Sequence, residues 1–346
     1  MSNVSLAPAV RSSKPFRILS NVQRLPESLP GGDRLQHDFL PIGSRLFWNS
    51  WRAHVRSLFR DAIVLHLPGK ELFLLCLLRL LLPWSRARLI VVEAILPKPG
   101  TGRWARLSAW FKGLLLRRVD LFLLYQKDIQ GLTVGYGIPA DKCQYIPFKV
   151  NSREVIASID SPPGTYVFTG GQSRRDYDTF IEAMRGLPYP GVIATPPEQV
   201  TSYHETYFDK SKLPSNVRVK HDATPGRRFI EAIAQARVVV MPIRAEAIGS
   251  AGVGVYLMAM ALRKCVIITD SPATRGILEH EENAILVPPE DPQALREAIR
   301  NAWEDDSYRC GIAERGFEYA QSLGGEEELR HNIAERTAAF LRSVAC

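Results

Sequence analysis

Cysteine and histidine are too few and too scattered in this 346-residue chain to build a covalent or metal framework. The five cysteines, Cys76, Cys143, Cys265, Cys310 and Cys346, form an odd set without a C-x-x-C pair. That argues against a disulfide scaffold or zinc site and points to a reducing, cytosolic setting. The seven histidines show no H-x-x-x-H or H-E-x-x-H spacing, so no metal site is expected. No apolar run approaches the roughly 20 residues needed to cross a bilayer. The densest, Glu71 to Leu82, has ten apolar residues in twelve. Residues 1–15 are polar without an apolar h-region and read as a tail, not a signal peptide. No helix-turn-helix, RRM or zinc-finger pattern is visible, and no nucleic-acid partner is expected. No repeat of 20–50 residues is present either.

What is there is an apolar chain with divided charge. Hydrophobic residues make up 46%, enough for real cores at a length that suits one or two domains. Residues 1–150 hold 22 Lys+Arg against 9 Asp+Glu, a net of +13; the remainder holds 22 against 27, a net of −5, and the two sum to the overall +8. The first half therefore faces something anionic: an acidic membrane surface, or a phosphate-bearing substrate.

Apolar runs of strand length alternate with helical patterns throughout. Phe16 to Ser20 opens a sheet, Asn21 to Gly43 reads as Pro- and Gly-rich loop, and Leu46 to Phe59 as an arginine-studded amphipathic helix. That helix is either an ordinary surface helix or a membrane contact. Strands follow at Ala62 to Leu67, Leu89 to Leu96, Val119 to Tyr125 and Tyr145 to Phe148, with helices between them, one over Lys127 to Tyr136. Glu71 to Leu82 is either a helix buried against the sheet or an interfacial one, and a basic aromatic helix carries Trp104, Trp110, Phe111, Lys112, Arg117 and Arg118. From Thr165 to Thr169 the alternation restarts. The expectation is α/β: two Rossmann-like domains with parallel sheets facing a cleft, divided as 1–150, 151–325 and a terminal helix 326–346.

Two loops of the second half bear chemistry. Gly170-Gly171-Gln172-Ser173-Arg174-Arg175-Asp176 follows a strand, with two glycines for close backbone approach and two arginines for bidentate contact with phosphate oxygens. Val238 to Pro289 reads strand, loop, helix, strand, short helix, strand, and its loop contains Gly249, Ser250, Ala251 and Gly252. Small residues before a helix present backbone N–H groups and the positive dipole end to an anion. The bland alternatives are a turn packed tightly and a pair of solvated arginines. In an open α/β sheet both loops fall beyond the strands' carboxyl ends, where they converge on one diphosphate.

The second half resembles the retaining glycosyltransferases of family 4, which have the GT-B fold. The resemblance is carried by Gly170-Gly171 with the following basic pair, by Ala259-Met260-Ala261-Leu262-Arg263-Lys264-Cys265-Val266-Ile267-Ile268-Thr269-Asp270, by Ile277-Leu278, and by Asn283 to Asp291. It covers roughly residues 160–320; in the first half, Asp61 to His66 is similar to the family's D-x-V-x-x-H. It implies a metal-independent hexosyltransferase that needs no cofactor and uses a nucleotide-diphosphate sugar as donor substrate. The second domain would hold the donor, and the first a glycan or lipid-linked acceptor in polysaccharide or glycolipid synthesis. With the cysteine usage and the basic, leucine-rich first half, the expected location is cytoplasmic, with peripheral contact on the inner membrane face. Carried over residue by residue, the donor site comprises Gly170, Gly171, Ser173, Arg174, Arg175, Gly249, Ser250, Ala251, Gly252 and Met258, and the reacting centre His66, Arg175 and Glu246. The sequence departs from the family where its two glutamates stand eight apart: here these positions are Ser250 and Met258, and Arg263 and Cys265 replace a Gly and a Pro. Glu246 is the nearest candidate to replace the first glutamate. The departures keep open a catalytically impaired nucleotide-sugar-binding or scaffold protein, and a GT-B nucleotide-sugar epimerase.

Overall fold

The computed structural model describes residues 14–30, 32–41, 46–195, 206, 208–221 and 226–345. Two six-stranded, all-parallel sheets account for the described strands. The front sheet is built from β1 (Phe16–Ser20), β2 (Leu35–Phe39), β3 (Ala62–His66), β4 (Arg88–Val92), β5 (Leu121–Leu124) and β6 (Cys143–Tyr145), in the order β2-β1-β3-β4-β5-β6. The rear sheet is built from β7 (Tyr166–Gly170), β8 (Gly191–Ala194), β9 (Val217–Lys220), β10 (Ala236–Met241), β11 (Cys265–Thr269) and β12 (Ile285–Val287), in the order β12-β11-β10-β7-β8-β9. This is the doubly wound arrangement expected, with two Rossmann-like halves.

The front strands sort their side chains by parity, as the pleat dictates. Ile63, Leu65, Leu89, Val91, Phe122 and Leu124 point to one face. There they meet α1 (Leu46–Arg56), α2 (Glu71–Leu81), α3 (Arg103–Leu116) and α4 (Gln130–Tyr136). Ala62, Val64, Ile90, Val92, Leu121 and Leu123 point to the other, where the terminal helix supplies Leu329, Ile333, Ala334, Ala338 and Leu341. The rear sheet is covered on one face by α5 (Arg153–Ala157), α7 (Arg227–Ala234) and α8 (Val253–Ala261), and on the other by α6 (Tyr177–Arg185) and α9 (Pro292–Glu304). Helix α10 (Asp306–Ser322) packs against β11 and α8, and the terminal helix α11 (Glu326–Ala345) is the one that returns to the front sheet.

Three local expectations are corrected. Residues 21–43, read as loop, contain β2, whose LQHDF sequence has little β-branched character; it forms because its backbone pairs in register with β1 from Phe16↔Leu35 to Ser20↔Phe39. The helix expected from Lys127 starts at Gln130, because Asp128 accepts from the Gln130 amide and holds the preceding residues in a turn. The short helix expected between β11 and β12 is a series of turns. Among the described residues no helix is long and apolar enough to cross a membrane.

Candidate functional site

Strands β7 and β10 are adjacent but far apart in sequence, so their carboxyl ends form the topological switch point at which doubly wound sheets bind ligands. The loops leaving them are stitched together. The Asp176 amide donates to Pro242 O at 2.9 Å, the Arg244 amide to Arg174 O at 3.0 Å, and Arg175 forms an antiparallel bridge with Ile243. The loop 171–176 thus folds back over the mouth of the rear sheet.

Glycine at 171 is required by the arginine that follows. Gly171 has φ +125°, and a Cβ built there would lie 2.5 Å from Arg175 Nη2. The Arg175 guanidinium lies over that bare backbone, donating from Nε to Gly170 O (3.1 Å) and from Nη1 to Ser173 O (2.7 Å). It is 2% exposed, and burial disfavours its charge. Among the described residues no carboxylate pairs with it. Arg174 also takes a left-handed backbone, φ +53°, and its Nη1 donates to Glu246 O at 3.0 Å.

From the other side comes the start of α8. Gly252 (φ +96°) is its N-cap, with no side chain closing the end. The contrast is α6, where the Asp176 carboxylate accepts from the Thr179 amide. The Val253 and Val255 amides donate to Ser250 O (3.3 Å) and Gly252 O (3.0 Å), so what the end offers is the positive pole of the helix dipole, equivalent to roughly half a positive charge. The α8 start and the arginines line one chamber of about 180 Å³, formed by Ser173, Arg174, Arg175, Gly249, Ser250, Ala251, Gly252 and, from the front domain, Glu93, Ile95 and Leu96. A second chamber of about 650 Å³ shares Ser173, Arg175, Gly254 and Val255 with it and is walled by Gly171, Gln172, Phe229, Ile230 and Met258. Asn151 and the Lys149–Glu326 ion pair also line it.

Two expected residues lie elsewhere. Glu246 lines neither chamber: it is exposed in the turn closed by Ala247 N→Arg244 O (3.0 Å), and its main-chain oxygen accepts from Arg174 Nη1. His66 ends β3 but lines neither chamber. Its Nε2 lies 2.8 Å from Tyr125 Oη, and Asn21 clasps its backbone from both sides. Burial lowers its pKa to about 4, so the imidazole is neutral near pH 7. Gly170 contributes its carbonyl to Arg175, and Met258 is buried at the second chamber's wall.

The sequence reading missed Glu93. It follows β4, is 2% exposed and has φ +55°. Its Oε1 accepts from Ser250 Oγ (2.7 Å) and its Oε2 from the Tyr125 amide (3.0 Å). Burial pushes its carboxyl pKa up, opposed by these donors. Its one signal was an acid inside the apolar run LIVVEAIL. Gln126 joins it across the cleft, donating to Ile248 O at 2.9 Å. Among the described residues no His, Cys, Asp and Glu cluster could hold a metal ion.

Residues 167–305, which include both loops, match the family of glycosyl transferases group 1. In overall structure the chain is similar to Anabaena HepE in complex with UDP-glucose (TM-score 0.66, 16% identity, 94% of this chain and 100% of that one). It is also similar to sucrose-phosphate synthase from Thermosynechococcus elongatus (0.62, 15%, 95% and 88%). A third similar structure is the UDP-forming α,α-trehalose-phosphate synthase of Burkholderia vietnamiensis (0.61, 12%, 96% and 100%). No curated protein matches the chain in sequence. Fold and rear domain together define a glycosyltransferase of the GT-B class. Its residues 167–305 are a group 1 glycosyltransferase domain.

Proposed function

We propose that the chain transfers a hexose from a nucleoside-diphosphate sugar to a glycan or lipid-linked acceptor, with retention of configuration and without a metal ion. The observation that carries this reading is Arg175: a buried guanidinium with no carboxylate partner among the described residues, facing the open start of α8. A charge so placed costs several kcal/mol to desolvate, and a bound diphosphate offsets it. As the glycosidic bond breaks, the leaving diphosphate gains charge; Arg175, Arg174 and the positive pole of α8 are already aimed there and need no reorganisation.

The second chamber suits the nucleoside, with Phe229, Ile230 and Met258 as apolar walls. Met258 cannot accept ribose hydroxyls as a carboxylate would, which leaves that contact to Asn151, Gln172 or Glu326. The structure of HepE with UDP-glucose supports a nucleotide sugar as donor.

The acceptor side is the basic front domain. Helices α1, α2 and α3 lie side by side, and Trp48, Phe59, Trp84, Trp104 and Trp110 are exposed on or beside them, close in sequence to Arg52, Arg60, Arg86, Arg103 and Lys112. Aromatics interleaved with cations suit the headgroup level of an anionic bilayer, which supports a lipid-linked acceptor and peripheral attachment on the cytoplasmic face.

The test is nucleotide release from UDP-, GDP- and ADP-sugars, with and without anionic vesicles carrying polyprenyl-phosphate acceptors. Release from one base series is expected, and silence across the panel overturns the reading. The missing carboxylates at 250 and 258 favour a second reading, a nucleotide-sugar binder without transferase activity, which would bind a donor and release nothing. Conversion of the donor without acceptor would identify an epimerase.

A further inference from the structure

We propose that Glu93 is the carboxylate that grips the donor's sugar ring, presented by the front domain in place of the rear-domain glutamate whose position Ser250 occupies. The inference rests on the glycosyltransferase reading above.

The geometry supports it in three ways. Glu93 and Ser250 meet across the cleft at 2.7 Å, on the wall of the same 180 Å³ chamber that holds Arg174, Arg175 and the α8 start. A carboxylate there is within one small chamber of the diphosphate cradle, where the sugar of a nucleotide sugar must lie. The side chain is oriented but not exhausted: its two oxygens offer about four acceptor sites, and three donors face them, Ser250 Oγ and the backbone amides of Tyr125 and Ser250. Finally, it is costly as a mere fastener. It is buried, among the described residues it has no cation partner, and its φ of +55° lies where only glycine is at ease. A carboxylate oxygen that already accepts one bond can accept another, which suits a ligand that donates hydrogen bonds, as sugar hydroxyls do.

Because the sugar grip and the diphosphate grip sit on different domains, a full donor bridges the cleft while the bare nucleotide does not. The test compares wild type with Glu93→Gln and Ser250→Ala, using UDP and UDP-glucose, and GDP and GDP-mannose, as probes. Calorimetry gives affinities, nucleotide release gives kcat/KM, and thermal melts report integrity. Glu93→Gln is expected to keep nucleoside-diphosphate affinity within about twofold while donor kcat/KM falls about 10- to 150-fold, the range for removing a hydrogen bond to a charged group. Its melting temperature should fall only modestly, because one of the oxygens that accept from Tyr125 and Ser250 becomes an NH2 that cannot. Ser250→Ala, which removes the hydroxyl that orients Glu93, should show the same pattern at smaller size. Unchanged turnover in Glu93→Gln overturns the assignment, as does an equal loss of nucleotide and donor affinity with a sharply lowered melting temperature, which marks a domain fastener. If wild type binds and turns over no donor, the functional reading itself fails and takes this one with it. Wild-type turnover that Glu93→Gln retains removes only Glu93.

Discussion

Substituting Gly171 by Ala tests whether the site is organised around a guanidinium packed on bare backbone. The methyl group would stand 2.5 Å from Arg175 Nη2 and 2.8 Å from Nε, closer than any real contact, at a φ of +125° that side chains avoid. Left-handed strain costs about 1–3 kcal/mol. Pushing the guanidinium out costs its bonds to Gly170 O and Ser173 O as well, each about 1.5–3 kcal/mol for a charged donor. The expected loss is roughly 4–9 kcal/mol, a drop in melting temperature on the order of 10–30 °C for a domain of this size. Gly252→Ala is the control: it carries similar backbone strain (φ +96°), but its tightest Cβ contact is Ile243 Cδ1 at 3.2 Å and it stands 3.8 Å from Arg175 Nη1, an ordinary contact, so about 1–3 kcal/mol is expected. Urea unfolding measures both. In the Gly171→Ala background, adding Arg175→Ala should cost little more, because the clash has already broken the contacts being removed. A Gly171→Ala variant no less stable than Gly252→Ala, or strictly additive losses, would refute the account.

Other expectations follow from the same geometry. Arg175→Ala should lower kcat about 10²–10³-fold, the size seen when one preorganised donor is lost, as measured by nucleotide release. Because burial lowers the folded-state pKa of His66 to about 4, only the unfolded chain binds that proton between pH 6.5 and 4. Stability from His66 is therefore complete above pH 6.5 and lost as pH falls to about 4, by about 3 kcal/mol; His66→Gln should flatten that part of a pH-dependent denaturation series. Trp104→Ala combined with Trp110→Ala and Lys112→Ala, all on α3, should weaken flotation with anionic vesicles while leaving nucleotide release from a soluble acceptor unchanged.

Much of the architecture was legible because parallel strands buried on both faces read as unbroken apolar runs: LIVV and LFLL, inside the runs read as strands at Leu89 to Leu96 and Val119 to Tyr125, fall on β4 and β5. β2 was hidden because LQHDF owes its extension to pairing with β1, which its own composition does not announce. The meeting of the two loops was legible too, since both follow strands of one open parallel sheet, and the structure brings 173–175 and 249–252 to one chamber. Side-chain direction was not. Glu246 was the nearest acid in sequence to an empty position, yet a turn sends it outward. Glu93 was 157 residues away from Ser250 and reached it through the closure of two domains, which no one-dimensional spacing encodes.

The terminal helix α11 covers a face of the front sheet, yet in the chain it comes after the entire rear domain. About 180 residues separate Ile146, which it helps bury, from its first residue, Glu326. A ribosome adding roughly 5–20 residues per second takes on the order of 10–40 s to cover that distance. During that interval Val64, Ile90, Val92 and Leu123 lack the helix's Leu329, Ile333, Ala334, Ala338 and Leu341 and keep only front-half neighbours such as Val22, Leu25 and Leu29, so the front half of a nascent molecule presents a sticky apolar plane while the rear half is already closing. Chaperone dependence in this protein should therefore track the front domain, and a stop codon near residue 325 should send the product into inclusion bodies even though the loops at 171–176 and 249–252 are untouched.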